Sequence, residues 1–228
     1  MSRFRDFLTV ASRRSSRRDG GFTMIELMVA LAIFSVFLAV VLSSIISITR
    51  ASTKVQVTAQ SSSAVLSVFQ RIDREVRYAD SINFPGVGAA TGDSYIEFRT
   101  PASSTASGLT LCTQWRYDLA TRSLSNRFWN DGSTPSPIWQ TDLTNMPNNI
   151  TALTPTYPFA LLPASNATAG STMQELQLTL ATGNTVIAGA GITTTFVARN
   201  SGVASQSNTD NTVPGKSDIP ICTGGDRP

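Results

Sequence analysis

From Leu27 to Ile48 the chain runs 22 positions without a charged side chain. A helix needs ~20 predominantly apolar residues to cross a bilayer, so this run predicts a membrane-length helix. Cationic residues crowd ahead of it, with Arg13-Arg14-Ser15-Ser16-Arg17-Arg18 as the densest group, and are scarce just after it. That asymmetry orients the N-terminus to the cytoplasm and puts everything after Arg50 outside.

The same asymmetry removes a misleading reading of the charge. The sequence pI is about 9.2, a value that invites nucleic-acid or anionic-lipid binding. Yet residues 1–21 hold Arg3, Arg5, Arg13, Arg14, Arg17 and Arg18 against Asp6 and Asp19. Downstream of Gly21 there remain 12 basic and 13 acidic side chains, a sum of −1. No electrostatic footprint for nucleic acid is left there. The 228 residues suit one domain plus appendages, and 41% hydrophobic content with 14% charged content fits an exported, β-rich protein. With no histidine in the chain, Ser-His-Asp and Cys-His catalysis and the usual histidine-containing metal sites are excluded. No cofactor, metal site or enzymatic activity is expected. Cys112 and Cys222 allow one intramolecular pair. Export would favour a cross-link closing about 110 residues, whereas a cytosolic chain would keep two buried thiols.

Two general readings of the N-terminus compete. A secretory signal has an apolar region of about 7–15 residues ending in an A-x-A-like site; this run is longer, and Ser43-Ser44-Ile45-Ile46-Ser47 makes a poor site. An uncleaved anchor leaves Glu26 unexplained, since a carboxylate costs ~3 kcal/mol or more near the bilayer centre. The segment Gly21-Phe22-Thr23-Met24-Ile25-Glu26-Leu27 resembles the prepilin peptidase site of type IV pilins and type II secretion pseudopilins. The resemblance implies a cut after Gly21 that retains the apolar helix, with Phe22 as the new, N-methylated terminus. It also implies that Glu26, fifth in the mature chain, serves as the assembly contact by meeting the Phe22 α-amine of a neighbouring subunit.

Beyond the run, Val65, Phe69, Ile72, Val76 and Ala79 recur at helical spacing as an apolar stripe. Arg71, Asp73, Arg74, Glu75, Arg77 and Asp80 interleave and read as a solvated face. A helix from about Thr23 to Ser81 is predicted, with Asn83-Phe84-Pro85-Gly86 as its stop. Ser94–Arg99 and Leu109–Tyr117 read as strands. Asp118–Thr121 is turn-like, and Arg122–Trp129 is the returning strand. Asn130–Pro147 reads as loop, Glu175–Ala181 and Thr194–Arg199 as further strands, and the polar tail from Asn200 as mobile apart from Cys222. Trp115, Trp129 and Trp139 are a conceivable ligand platform but suit core or hairpin packing better. The sequons at Asn149 and Asn166 are weak signals, and Gly183–Gly191 lacks the order of a phosphate loop.

The expected fold is α+β: a long N-terminal transmembrane and assembly helix packed on one antiparallel β-sheet head, pilin-like in organisation. Its parts are a basic leader (1–21), the apolar helix (22–48), an amphipathic continuation (49–82), the β-rich head (83–200) and a polar tail (201–228). Phe69-Gln70-Arg71-Ile72-Asp73-Arg74-Glu75-Val76-Arg77, Trp115-Arg116-Tyr117 and Val197-Ala198-Arg199-Asn200 resemble the subgroup of J-type pseudopilins and W-type minor pilins. That resemblance implies a minor structural subunit of a type IV pilus or secretion pseudopilus. Its partners would be other pilin or pseudopilin subunits, prepilin peptidase, an inner-membrane assembly platform and, before assembly, membrane lipid. Its location would be the cytoplasmic membrane with the head outside, then the pilus or cell surface. Retention of Glu26 separates the chain from the family's tip subunits that lack this carboxylate. A filament-borne adhesin or DNA-uptake subunit, contacting ligand through loops 130–165 or the tail, is the competing reading; a membrane-anchored enzyme is a weaker one.

Overall fold

The computed structural model describes residues 21–168, 170–183, 188–208 and 221–227. The leader up to Gly20, residues 184–187 of the glycine-containing segment and residues 209–220 of the tail lie outside the described residues. A 55-residue helix, α1 (Met24–Tyr78), opens the described chain. The chain divides into two compact units, one ending at Ala51 and one starting at Ser52, and α1 contributes to both.

In the first unit α1 includes a stretch long and apolar enough to cross a membrane. A helix satisfies its backbone donors and acceptors internally, which an apolar surrounding demands. The few hydroxyls follow the same rule: Ser35 donates to Leu31 O at 2.7 Å, Ser44 to Val40 O at 2.9 Å and Thr49 to Ile45 O at 2.9 Å. Side chains from Phe22 to Ile48 are exposed almost throughout, so this unit has no core of its own.

In the second unit the rest of α1 buries Val65, Val68, Ile72 and Val76. The helix stops at Tyr78, short of the expected end at Ser81, for a traceable reason. The Ala79 amide tightens onto Val76 O at 3.0 Å, the Arg199 amide donates to Arg77 O at 3.3 Å, and Asn200 Nδ2 donates to Tyr78 O at 3.1 Å. These donors satisfy carbonyls that the last turn leaves open. Asp80 then accepts both Nε and Nη2 of Arg99, at 3.0 and 2.9 Å, and turns the chain into a sheet.

That sheet contains β1 (Ser81–Ile82), β2 (Gly86–Val87), β3 (Ser94–Thr100), β4 (Leu111–Asp118), β5 (Ser123–Asn130) and β6 (Gln140–Leu143). They run in the order β1-β3-β4-β5-β6, with β2 also on β3, and all the pairings are antiparallel. A second antiparallel sheet, β7 (Phe159–Leu162), β8 (Glu175–Gly183) and β9 (Ala188–Val197), replaces the expected single sheet. Both feed one core. Ile96, Phe98, Trp115, Tyr117 and Leu124 from the first meet Leu176, Leu178, Leu180 and Phe196 from the second around the α1 stripe.

Three further expectations need correction. The loop expected at 130–147 contains β6, whose polar residues are held by side-chain pairing: Arg71 Nη1 reaches Asp142 at 2.9 Å, and Asn126 also donates to Asp142. The supposed solvated face of α1 is partly interior. Glu75 accepts from Trp115 Nε1 at 2.7 Å and from Arg71 Nε at 3.1 Å, and burial pushes its carboxyl up despite both donors. The described parts of the tail are docked, not mobile. Ser207 is fully buried and donates to Ile82 O, while the Asn208 amide brackets the main chain of Ala164, accepting at 2.7 Å and donating at 2.9 Å.

Candidate processing and assembly segment

Gly21, Phe22 and Thr23 precede the helix in irregular, exposed chain. The Thr23 hydroxyl accepts the Glu26 amide at 3.3 Å, and the Leu27 amide closes the first turn on Thr23 O at 3.2 Å. Thr23 is therefore the N-cap and Glu26 occupies the third helical position, the residue spacing of a capping box, with the Thr23 side chain making its half of the pair. The pattern Thr-x-x-Glu is visible in sequence and explains why the helix starts at Met24. The Gly21–Phe22 peptide bond consequently lies outside the helix. A Cβ built on Gly21 meets nothing within 4 Å, so nothing within the described chain demands glycine at this position.

Glu26 sits in the first turn, where the positive end of the helix dipole favours a carboxylate. It is exposed, and among the described residues no ion pair includes it. Phe22 is 83% exposed, and the apolar side chains that follow cover every side of the helix. A surface of this composition and extent has to be covered by lipid or by other apolar helices.

The remaining sequence candidates separate. Cys112 and Cys222 are joined in a disulfide with Cα atoms 6.0 Å apart. The three tryptophans do not join in one platform, although Trp129 and Trp139 share the Arg127 guanidinium, 5.6 and 4.5 Å from their ring centres. Trp115 lies in the core, Trp129 is buried beside Cys222 with Ile221, and Trp139 lies against the guanidinium groups of Arg116 and Arg127, each 4.5 Å from its ring centre. Asn149 and Asn166 are both exposed.

Residues 16–42 match the family model described as the prokaryotic N-terminal methylation motif. This interval holds Gly21, Phe22, Thr23 and Glu26 and most of the apolar run. Comparison with curated proteins and with solved structures gives no match. The chain thus joins an N-terminal methylation motif, as in type IV pilins and pseudopilins, to a helix-plus-antiparallel-sheet architecture of pilin-like kind.

Proposed function

We propose that this chain is the precursor of a minor pilin or pseudopilin, a non-enzymatic subunit of a type IV pilus or secretion pseudopilus. The supporting observation is the junction at Thr23: irregular, exposed chain at Gly21 and Phe22 on its N-terminal side, and on the other a capped helix with apolar side chains all round. Prepilin peptidase cuts between Gly21 and Phe22. Glycine suits this step because no side chain blocks approach to the backbone. The released α-amine of Phe22 is N-methylated and keeps its positive charge.

Before assembly, residues 22–48 hold the subunit in the cytoplasmic membrane with the head outside. An assembly platform then moves the helix from lipid into a bundle of like helices. Within that bundle a charge without a partner is costly, and Glu26 compensates the Phe22 amine of an adjacent subunit.

Mass spectrometry of the filament fraction is expected to find a chain beginning at methylated Phe22. A terminus at Met1 or after residue 42 would rule the proposal out. Glu26→Ala is expected to leave cleavage intact and to reduce incorporation into filaments; normal incorporation would remove Glu26 from the assembly contact.

A further inference from the structure

Along β3, Ile96 and Phe98 point into the core, so Glu97 between them points to the opposite face of the sheet. Glu97 is only 1% exposed. Gln114 Nε2 donates to its Oε1 at 2.7 Å and Asn83 Nδ2 to its Oε2 at 3.0 Å, but both donors are neutral. The cation in contact with this carboxylate comes from the far end of the chain. Arg227 Nε donates to Oε1 at 3.0 Å, and Nη2 pairs with Oε2 while donating to Phe84 O at 2.8 Å. Arg127 reaches Glu97 indirectly, through Gln114 Oε1 at 2.7 Å.

The seat for Arg227 is shaped by Gly86 on β2, where a Cβ would overlap the guanidinium Nη1. The strap Ile221–Arg227 that delivers this arginine is held along its length. Trp129 Nε1 donates to Thr223 O at 2.8 Å, the Thr223 amide donates to Asp131 at 3.0 Å, and Gln114 Nε2 donates to Asp226 O at 3.2 Å. The Cys112–Cys222 bond anchors its other end, with both cysteines buried.

We infer that the C-terminal strap is a two-point latch that completes the head: the Cys112–Cys222 bond tethers it, and Arg227 closes it by neutralising the buried carboxylate of Glu97. Removing one partner of a buried pair leaves an uncompensated charge, which is more damaging than removing both. Tethering at Cys222 keeps Arg227 at high effective concentration beside Glu97. Closure by Arg227 in turn holds the strap, and with it Cys222 and Ile221, against the sheet. A head lacking its last residues, or not yet oxidised, therefore keeps this face of the sheet open. The latch is independent of the filament reading.

The test is the rate at which dithiothreitol reduces Cys112–Cys222 in the full-length chain in detergent micelles, followed by alkylation and intact mass. Arg227→Ala is expected to accelerate reduction by about tenfold or more, because the unpaired Glu97 drives the strap off. Gly86→Ala keeps both charges but displaces the end of the Arg227 side chain, and is expected to accelerate reduction by less than Arg227→Ala. Glu97→Gln combined with Arg227→Ala is expected to return the rate toward wild type, an outcome that loss of packing alone would not produce. Wild-type reduction kinetics in Arg227→Ala, or a double variant as fast as Arg227→Ala, would overturn the latch. If Arg227→Ala fails to fold, the double variant decides: recovery with the disulfide formed supports the latch, and recovery as free thiols or no recovery overturns it.

Discussion

The two halves of α1 use the same secondary structure to opposite ends. Up to Ala51 the helix carries apolar residues on every side and buries essentially none of them within its own chain. From Ser52 on, a narrow stripe suffices, because Val65, Val68, Ile72 and Val76 meet two sheets that cover them completely. A helix that is apolar all round must be finished by its surroundings, while an amphipathic one is finished by its own fold. The first half therefore depends on lipid or other apolar helices, and the second depends on the head.

Cutting the molecule between these halves should produce the largest effect. A fragment of residues 52–228, exported to an oxidising compartment, is expected to be monomeric, water-soluble and cooperatively folded, with Cys112–Cys222 formed. The full chain is expected to need detergent or lipid. Size-exclusion chromatography and thermal melting check both statements. An unfolded or aggregated fragment would show that the head depends on the apolar half, and the comparison would fail.

A sharper form of the comparison uses one substitution in each half. Ile72 is fully buried, and Ile72→Ala is expected to destabilise the head by about 2–5 kcal/mol, the range for a large aliphatic side chain removed from a packed core. Ile33 is 66% exposed, and Ile33→Ala should leave the head's melting temperature unchanged in the full chain. Equal effects at the two positions would mean that the halves share stability.

The same contrast explains what could be read before the structure. The apolar run, the α1 stripe and β4 were legible because each repeats an apolar residue at a regular period, and β5 was legible as the return from the Asp118–Thr121 turn. The Thr23 cap was also present in plain sequence, as Thr-x-x-Glu. Apart from the short apolar β7, the elements that periodicity missed include two held by polar groups paired over long separations. β6 depends on Asp142 meeting Arg71 and Asn126. The docked tail depends on amide and hydroxyl groups that complete another segment's main-chain hydrogen bonds, such as the Asn208 amide on Ala164 and Ser207 on Ile82 O. Such residues have the composition of solvent-facing loop, and nothing local marks them as buried. The Glu97–Arg227 pair joins residues 130 positions apart, so neither partner announces the other. At the N-terminus the difficulty is of another kind: Glu26 and Phe22 have their proposed partners in a different molecule.

The smallest expected effect concerns how dry the head's interior is. Tyr157 is 6% exposed, and no hydrogen bond among the described residues reaches its hydroxyl. It stands edge-on to Tyr117, with ring centres 5.6 Å apart. Burial above all, and then the neighbouring Tyr117, push its pKa from the ordinary 10.0 up to about 12; Asn149 is near enough to oppose the rise slightly but not in bonding geometry. The unfolded chain releases this proton near pH 10 while the folded chain holds it to about pH 12. The unfolded state then binds fewer protons across that window, so stability falls as pH rises through it. Well below pH 10 the two states are equally protonated at this site and it adds nothing to the pH dependence. Tyr157→Phe is therefore expected to change stability little at neutral pH, since no hydrogen bond is lost, and to flatten the decline between pH 10 and about 12. Denaturant titrations of the wild type and of Tyr157→Phe across that range measure the difference. An unchanged slope would mean that water reaches the Tyr157 hydroxyl, and the contrast between a dry head and an exposed helix would have to be redrawn at that residue.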